Sequence, residues 1–119
     1  MATMISSSSF GHMVIGEATY TADLIILPDA TVLPNWRRKQ GHELALEDLQ
    51  AVLPLKPDMI IVGTGAHERM KIAPGLANEL VSMGIELKAL ATDTAVTLFN
   101  TTIAQTPDKS VSGCFHLTC

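Results

Sequence analysis

A chain of 119 residues has the length of one ordinary domain and buries roughly two thirds of the surface that it exposes when unfolded. Its residues are 47% hydrophobic and 17% charged, which excludes a disordered tail, because enough apolar surface is present to offset the entropy of ordering the chain. Eight Lys and Arg against twelve Asp and Glu leave a formal net charge of −4, so DNA or RNA would meet net repulsion rather than a counterion-releasing basic face.

The start, Met1 to Phe10, contains Ser6-Ser7-Ser8-Ser9. It has neither the charged leader and apolar stretch of a secretory signal nor the arginines of a transit peptide. Residues 1–9 are expected to be a flexible, serine-rich start to a single domain spanning 1–119. Met13-Val14-Ile15, the turn Gly16-Glu17 and the run Ala18 to Leu27 predict a hairpin: Gly16 supplies the positive φ of a short turn, and Thr19, Tyr20, Thr21 and Ile25 favour a pleated surface. Pro28-Asp29-Ala30 marks a second turn. Thr31-Val32-Leu33-Pro34 reads as a further strand, placed at an edge because Pro34 has no amide hydrogen to donate. These pieces form an antiparallel layer.

After Gly41 the period changes. Leu46, Leu49, Val52 and Leu53 recur at helical spacing, with Glu43, Glu47 and Asp48 near the positive end of the helix dipole and Pro54 and Pro57 as stops. Met59-Ile60-Ile61-Val62 is apolar without alternation, as a strand covered on both faces of a parallel sheet should be. Pro74 at a first helical position, the stripe Leu76, Ala77, Leu80 and Val81, and Gly84 as the closing residue predict a helix over about residues 74–83. Ile85, Leu87 and Ala89 alternate with Glu86 and Lys88, completing a β-α-β unit over 58–91 whose crossover is expected to be right-handed. Thr92 or Asp93 can cap a third helix that buries Ala95, Val96, Phe99 and Ile103. After Pro107-Asp108 a final strand runs from Val111 to about Thr118. The alternation predicts a three-layer α/β domain: a mixed central sheet of about five strands flanked by helices, with an extra N-terminal antiparallel β-layer.

Cys114 and Cys119 stand five positions apart, so in a strand they point to opposite faces, and neither a CxxC nor a Cys/His zinc spacing exists. Neither a disulfide framework nor a metal site follows, and a reducing, cytoplasmic location fits. No apolar run approaches the ~20 residues that span a bilayer, so membrane insertion is not expected.

The ordered set Ile60-Ile61-Val62-Gly63-Thr64-Gly65, Arg69, Met83-Gly84-Ile85, Thr92-Asp93-Thr94-Ala95, Phe99-Asn100 and Phe115-His116-Leu117, with Tyr20, Asp23, Leu24, Pro28-Asp29 and Trp36 before it, resembles the Mth-type domain family. That family includes the adipogenesis-associated Mth-type domain protein of animals and the mitochondrial complex I assembly factor 3. The resemblance covers nearly the whole chain and rests on order and spacing rather than on one motif. It implies a single α/β domain with a mixed five-stranded sheet, flanking helices and an extra β-layer. No enzymatic activity follows from it, since the best described members act in respiratory-complex assembly. The family commonly has Tyr-Asn where this chain has Phe99-Asn100, and Glu-x-Arg where this chain has the stretch from Gln105 to Lys109.

The candidate ligand site is Gly63-Thr64-Gly65 with Arg69. Ligands of open α/β sheets collect beyond the carboxyl ends of parallel strands, two glycines let amides approach an anion, and a guanidinium can pair with a carboxylate or phosphate. Turn glycines explain the same triplet without a ligand. It is not a dinucleotide fingerprint, since Glu68 stands where a third glycine belongs, and no GK[ST] follows. Thr92-Asp93-Thr94, at the end of the next parallel strand, is expected on the same rim, either adding amides to an anion site or capping its helix. Asn35-Trp36-Arg37-Arg38-Lys39 is the local positive cluster. Trp36, Arg37 and Arg38 form either a partner hot spot or an exposed loop with solvated charges and Trp36 packed at the domain edge. His12, His42, His67 and His116 are scattered, without HExxH spacing. Cys114, Cys119, Ser112 and Thr64 lie in no nucleophile signature. No catalytic residue, metal or cofactor is therefore assigned. Two functions follow. One is a non-catalytic binding or assembly module with a protein partner or a homo-oligomeric state. The other is a protein that binds, or an enzyme that acts on, an anionic metabolite at the Gly63 to Arg69 rim.

Overall fold

The structure, a computed structural model, describes residues 4–40 and 42–119. Pairing sorts its strands into three sheets. The first is antiparallel and contains β1 (Ile5–Ser9), β2 (His12–Ile15) and β3 (Ala18–Tyr20), with the Gly16-Glu17 turn between the last two. The flexible start expected for residues 1–9 is corrected over its described part, because Ser7, Ser8 and Ser9 pair with Val14, Met13 and His12; residues 1–3 lie outside the described residues. The predicted second hairpin strand is likewise two strands. The chain bends at residues 21–23, and β4 (Leu24–Ile26) joins the central sheet instead, its three side chains all buried.

β5 (Val32–Leu33) pairs with β4 at one edge of that sheet, as Pro34 requires. The helix predicted after Gly41 is replaced by β6 (Glu43–Leu44) and two single 3-10 turns, Leu46–Leu49 and Leu53–Leu55. Asp48 is the local cause: its carboxylate accepts the Lys39 and Ala45 amides at 2.9 Å, drawing the backbone away from a regular helix, and Pro54 and Pro57 prevent extension. β7 (Met59–Gly63) follows, then β8 (Lys71–Ile72), which pairs in parallel with β6. The next elements are α1 (Leu76–Ser82), β9 (Glu86–Leu90), α2 (Thr92–Gln105) and β10 (Val111–Phe115). Helix α1 is shorter than predicted. Gly75, in the left-handed region, precedes it in place of Pro74, and only Leu76 and Leu80 of the expected stripe are buried while Ala77 and Val81 face outward. Neither Thr92 nor Asp93 is the cap of α2: Ala91 holds that position and Thr92 is the first helical residue.

The central sheet has the order β5-β4-β10-β7-β9, with β10, β7 and β9 mutually parallel and β4 antiparallel to β10. It is a mixed five-stranded sheet, as expected. Strand alternation assigns its residues to two apolar layers. Met59, Ile61, Val111 and Phe115 face α2 and the three-stranded sheet, where they meet Phe99, Met13 and Ile15. Ile60, Val62, Ile25 and Cys114 face α1 and the 3-10 turns, where they meet Leu80, Leu76 and Leu49. Gly113 lies under the edge-to-face pair Phe99–Phe115, whose ring centroids are 5.8 Å apart. A methyl group at Gly113 would stand 2.5 Å from Phe115 and 3.1 Å from Phe99. Gly113→Ala is therefore expected to lower stability by about 2 kcal/mol through overpacking, read as a reduced urea midpoint with an unchanged slope.

Candidate functional site

From the end of β7 the chain leaves toward α1 on one face of the sheet, and from the end of β9 it enters α2 on the other. That divergence is where open α/β folds hold ligands. The two bends do open side by side. The Thr64 amide donates to Leu90 O at 2.8 Å, the Thr92 amide to Gly65 O at 3.2 Å, and the Gly65 amide to Thr92 Oγ1 at 2.8 Å. Gly63, Thr64, Gly65 and Thr92 are brought together and buried, whereas Arg69, Asp93 and Thr94 stand exposed.

The amides of this rim are engaged by the chain itself. β10 stops at Phe115, three residues short of the predicted end at about Thr118, and the segment 116–119 crosses the strand ends. Ala66 N–H donates to Thr118 O at 2.7 Å, and His67 and Arg69 N–H donate to Cys119 O at 3.1 and 3.0 Å. Thr92 Oγ1 donates to His116 O at 2.6 Å, and Asp93 Oδ1 accepts the Thr94 amide at 2.8 Å. The crossing is close enough that a Cβ on Gly65, at φ +104°, would fall 2.1 Å from the Cys119 carbonyl carbon. Only glycine permits both that backbone angle and that approach.

Beside the tail lies a polar cluster that joins distant parts of the chain. Asp23 Oδ2 accepts Arg38 Nη2 and His116 Nδ1, each at 2.8 Å, and Asp23 Oδ1 accepts the Leu117 amide at 2.8 Å. The side chains of Arg38, His116 and Asp23 are only 4%, 7% and 16% exposed. Burial alone would raise the Asp23 pKa. The hydrogen bonds from His116, Leu117 and Arg38, with the attraction of His116, outweigh it and hold the carboxyl below its ordinary value. Arg38 also stacks over Trp36, 4.7 Å from the ring centroid, and Trp36 Nε1 donates to Asp48 O at 3.1 Å. The expectation of a solvated basic loop is thus corrected: Arg38 turns inward because Asp23 needs a counter-charge, Trp36 is half-buried over it, and Arg37 remains exposed.

His116 turns Nδ1 toward the Asp23 carboxylate, the arrangement of an acid–base dyad. Its Nε2 is buried and has no hydrogen-bond partner among the described residues. The Cys114 thiol is no nucleophile at neutral pH, since burial pushes its pKa up to about 12 against the opposing pull of Arg38. Among the described residues no group of three or more His, Cys, Asp and Glu is arranged to hold a metal, and no helix is long and apolar enough to cross a membrane.

Residues 5–116 match the family model described as "Protein of unknown function (DUF498/DUF598)". The chain belongs to the DUF498/DUF598 family. Solved structures of similar proteins agree with the fold. A protein named MT938 is 24% identical and covers 99% of this chain and 100% of its own, with a TM-score of 0.82. A conserved hypothetical protein of Pyrococcus horikoshii is 22% identical over 97% and 98%, with a TM-score of 0.80. A Mth938-like domain of Bordetella pertussis is 18% identical over 97% and 85%, with a TM-score of 0.67. The resemblance to Mth-type domains is borne out, and at these identities the likeness is one of fold.

In this DUF498 chain the pair Phe99-Asn100 is structural. Phe99 packs on Phe115, and the Asn100 amide accepts from Ile5 N–H and donates to Ile5 O, both at 2.9 Å, taking the place of a strand neighbour for β1. The Asp23–Arg38–His116 cluster was not assembled from the sequence, although a signal existed. Asp23 interrupts Ala22 to Ile26, and His116 stands between Phe115 and Leu117; a lone polar residue inside an apolar run must find a partner.

Asp23→Asn is expected to cost about 3 kcal/mol at neutral pH, because it leaves Arg38 facing a neutral group in a buried setting. The depressed folded pKa makes the Asp23 contribution fully present above the ordinary value of 3.8 and lost as pH falls through the lower folded value. Urea unfolding at stepped pH should therefore show the two proteins converging below about pH 4. Thr92→Val should cost about 2 kcal/mol by leaving Gly65 N–H and His116 O unpaired, with Thr92→Ser close to wild type.

Proposed function

We propose that this chain is a non-catalytic protein-binding module that works in the cytoplasm, of the assembly type implied by the resemblance to complex I assembly factor 3. The observation that carries this reading is the engagement of the rim amides of Gly65, Ala66, His67 and Arg69 by Thr92 and the segment 116–119, which occupies the place where this class of sheet receives small molecules. The inert Cys114 thiol and the enclosed His116 Nε2 support it further.

Apolar surface is available instead. Phe10 is 58% exposed at the β1–β2 turn. It borders a recess of about 230 Å³ lined also by Ser8, Ser9, Ala66, Thr92, Asp93 and Leu117. An exposed aromatic beside a small recess suits an inserted partner side chain.

Two measurements test the reading. Thermal-shift titration with phosphate, nucleotides and small carboxylates is expected to leave the melting temperature unchanged. Cross-linking in native extract should join the tagged chain to a defined protein, and Phe10→Ala should weaken that complex about tenfold while melting as wild type does. An anion that raises the melting temperature, with the shift abolished by Arg69→Ala, would establish the metabolite reading in its place.

A further inference from the structure

β9 ends the central sheet. β7 pairs along one side of it, and among the described residues no strand pairs along the other. Two hydrogen bonds fix which backbone groups point outward: Glu86 N–H donates to Asp58 O at 3.0 Å, and Leu90 O accepts Thr64 N–H at 2.8 Å. In a parallel ladder that parity turns the backbone of Glu86, Lys88 and Leu90 toward β7 and the backbone of Leu87 and Ala89 to the open edge. An open edge of this kind is a template for another strand.

Glu86 and Lys88 share one face of the strand, 3.1 Å apart and about half exposed. Lysine on an edge strand often deters pairing, but here the two charges select among symmetric antiparallel registers. A two-fold axis at Glu86 or at Lys88 sets like charges opposite each other, and an axis at Ala89 sets Lys88 opposite Leu90. An axis at Leu87 alone places Glu86 of each copy opposite Lys88 of the other. Those are non-hydrogen-bonded pairs, where facing side chains come closest. In the same register the two Leu87 residues exchange a pair of backbone hydrogen bonds. Ala89 N–H meets the carbonyl of Ile85, whose own amide is already bonded to Leu80 O at 2.9 Å.

The other face of the strand is apolar. Leu87 is half-buried against α1, and Val81, 66% exposed, lines with Ala77 and Leu87 a shallow groove of about 460 Å³. We propose that β9 pairs antiparallel with β9 of a second copy of this chain about a two-fold axis at Leu87, merging the two central sheets into one and covering Val81. This self-association goes beyond the partner reading above and uses a different surface.

Sedimentation of the purified full chain tests it without any other protein present. The wild type is expected at twice the monomer mass. Glu86→Lys and Lys88→Glu should each fall to the monomer, because each sets like charges face to face. An equimolar mixture of the two variants should recover the dimer, as should the Glu86→Lys/Lys88→Glu double variant. Recovery on mixing cannot arise from misfolding, and both side chains are solvent-accessible. A monomeric wild type, single variants that stay dimeric, or a mixture that stays monomeric each overturn the proposal.

Discussion

An ionised carboxylate withdrawn from water has to be met by donors, and the placement of Asp23 immediately before β4 makes that requirement organise one end of the molecule. Its three partners are two side chains, Arg38 and His116, and the Leu117 backbone amide, 15, 93 and 94 positions away in sequence. Arg38 brings the 36–38 loop inward and with it Trp36, whose ring covers the guanidinium and whose backbone amide returns to Asp23 O at 2.7 Å. His116 and the Leu117 amide fix the direction in which the chain leaves β10. The path over Gly65 and the bonding of the rim amides follow from that direction.

The molecule thus closes one boundary of its sheet and leaves another open. At the carboxyl ends of the parallel strands, polar backbone that would otherwise face solvent or a ligand is bonded to residues 116–119. Along β9, the seven-residue helix α1 buries only Leu76 and Leu80, leaving Val81 beside a strand edge that no other strand pairs among the described residues. Closure fills the strand ends where open α/β sheets usually receive a ligand, and the open edge offers backbone hydrogen bonds that another extended chain can complete.

Much of the architecture was legible because local signals agreed with the fold. Met59 to Val62 lacks alternation since both its faces are covered, Gly16 marks a true turn, and Leu87 alternates with Glu86 and Lys88 as an edge strand should. Where long-range polar contacts decide, the sequence pattern misled. Leu46, Leu49, Val52 and Leu53 keep helical spacing, but Asp48 binds the amides of Lys39 and Ala45 and the segment becomes 3-10 turns. Ser6 to Ser9 looked featureless because their partners are strand backbone rather than side chains. The juxtaposition of the Val62 and Leu90 ends could be inferred from parallel topology. The filling of the space between them could not, since it depends on Asp23 and His116 meeting across 93 positions.

One feature of the topology bears on how the chain reaches this state. The middle strand of the central sheet, β10, is the last to be synthesised, and it separates the β4–β5 pair from the β7–β9 pair. Until Val111–Phe115 clears the ribosomal exit tunnel, those two pairs have nothing to zip onto, and Ile25, Ile26 and Ile61 lack their common neighbour. Joining the two halves therefore waits on contacts between residues far apart in sequence, which makes the insertion of β10 the step that completes the central sheet.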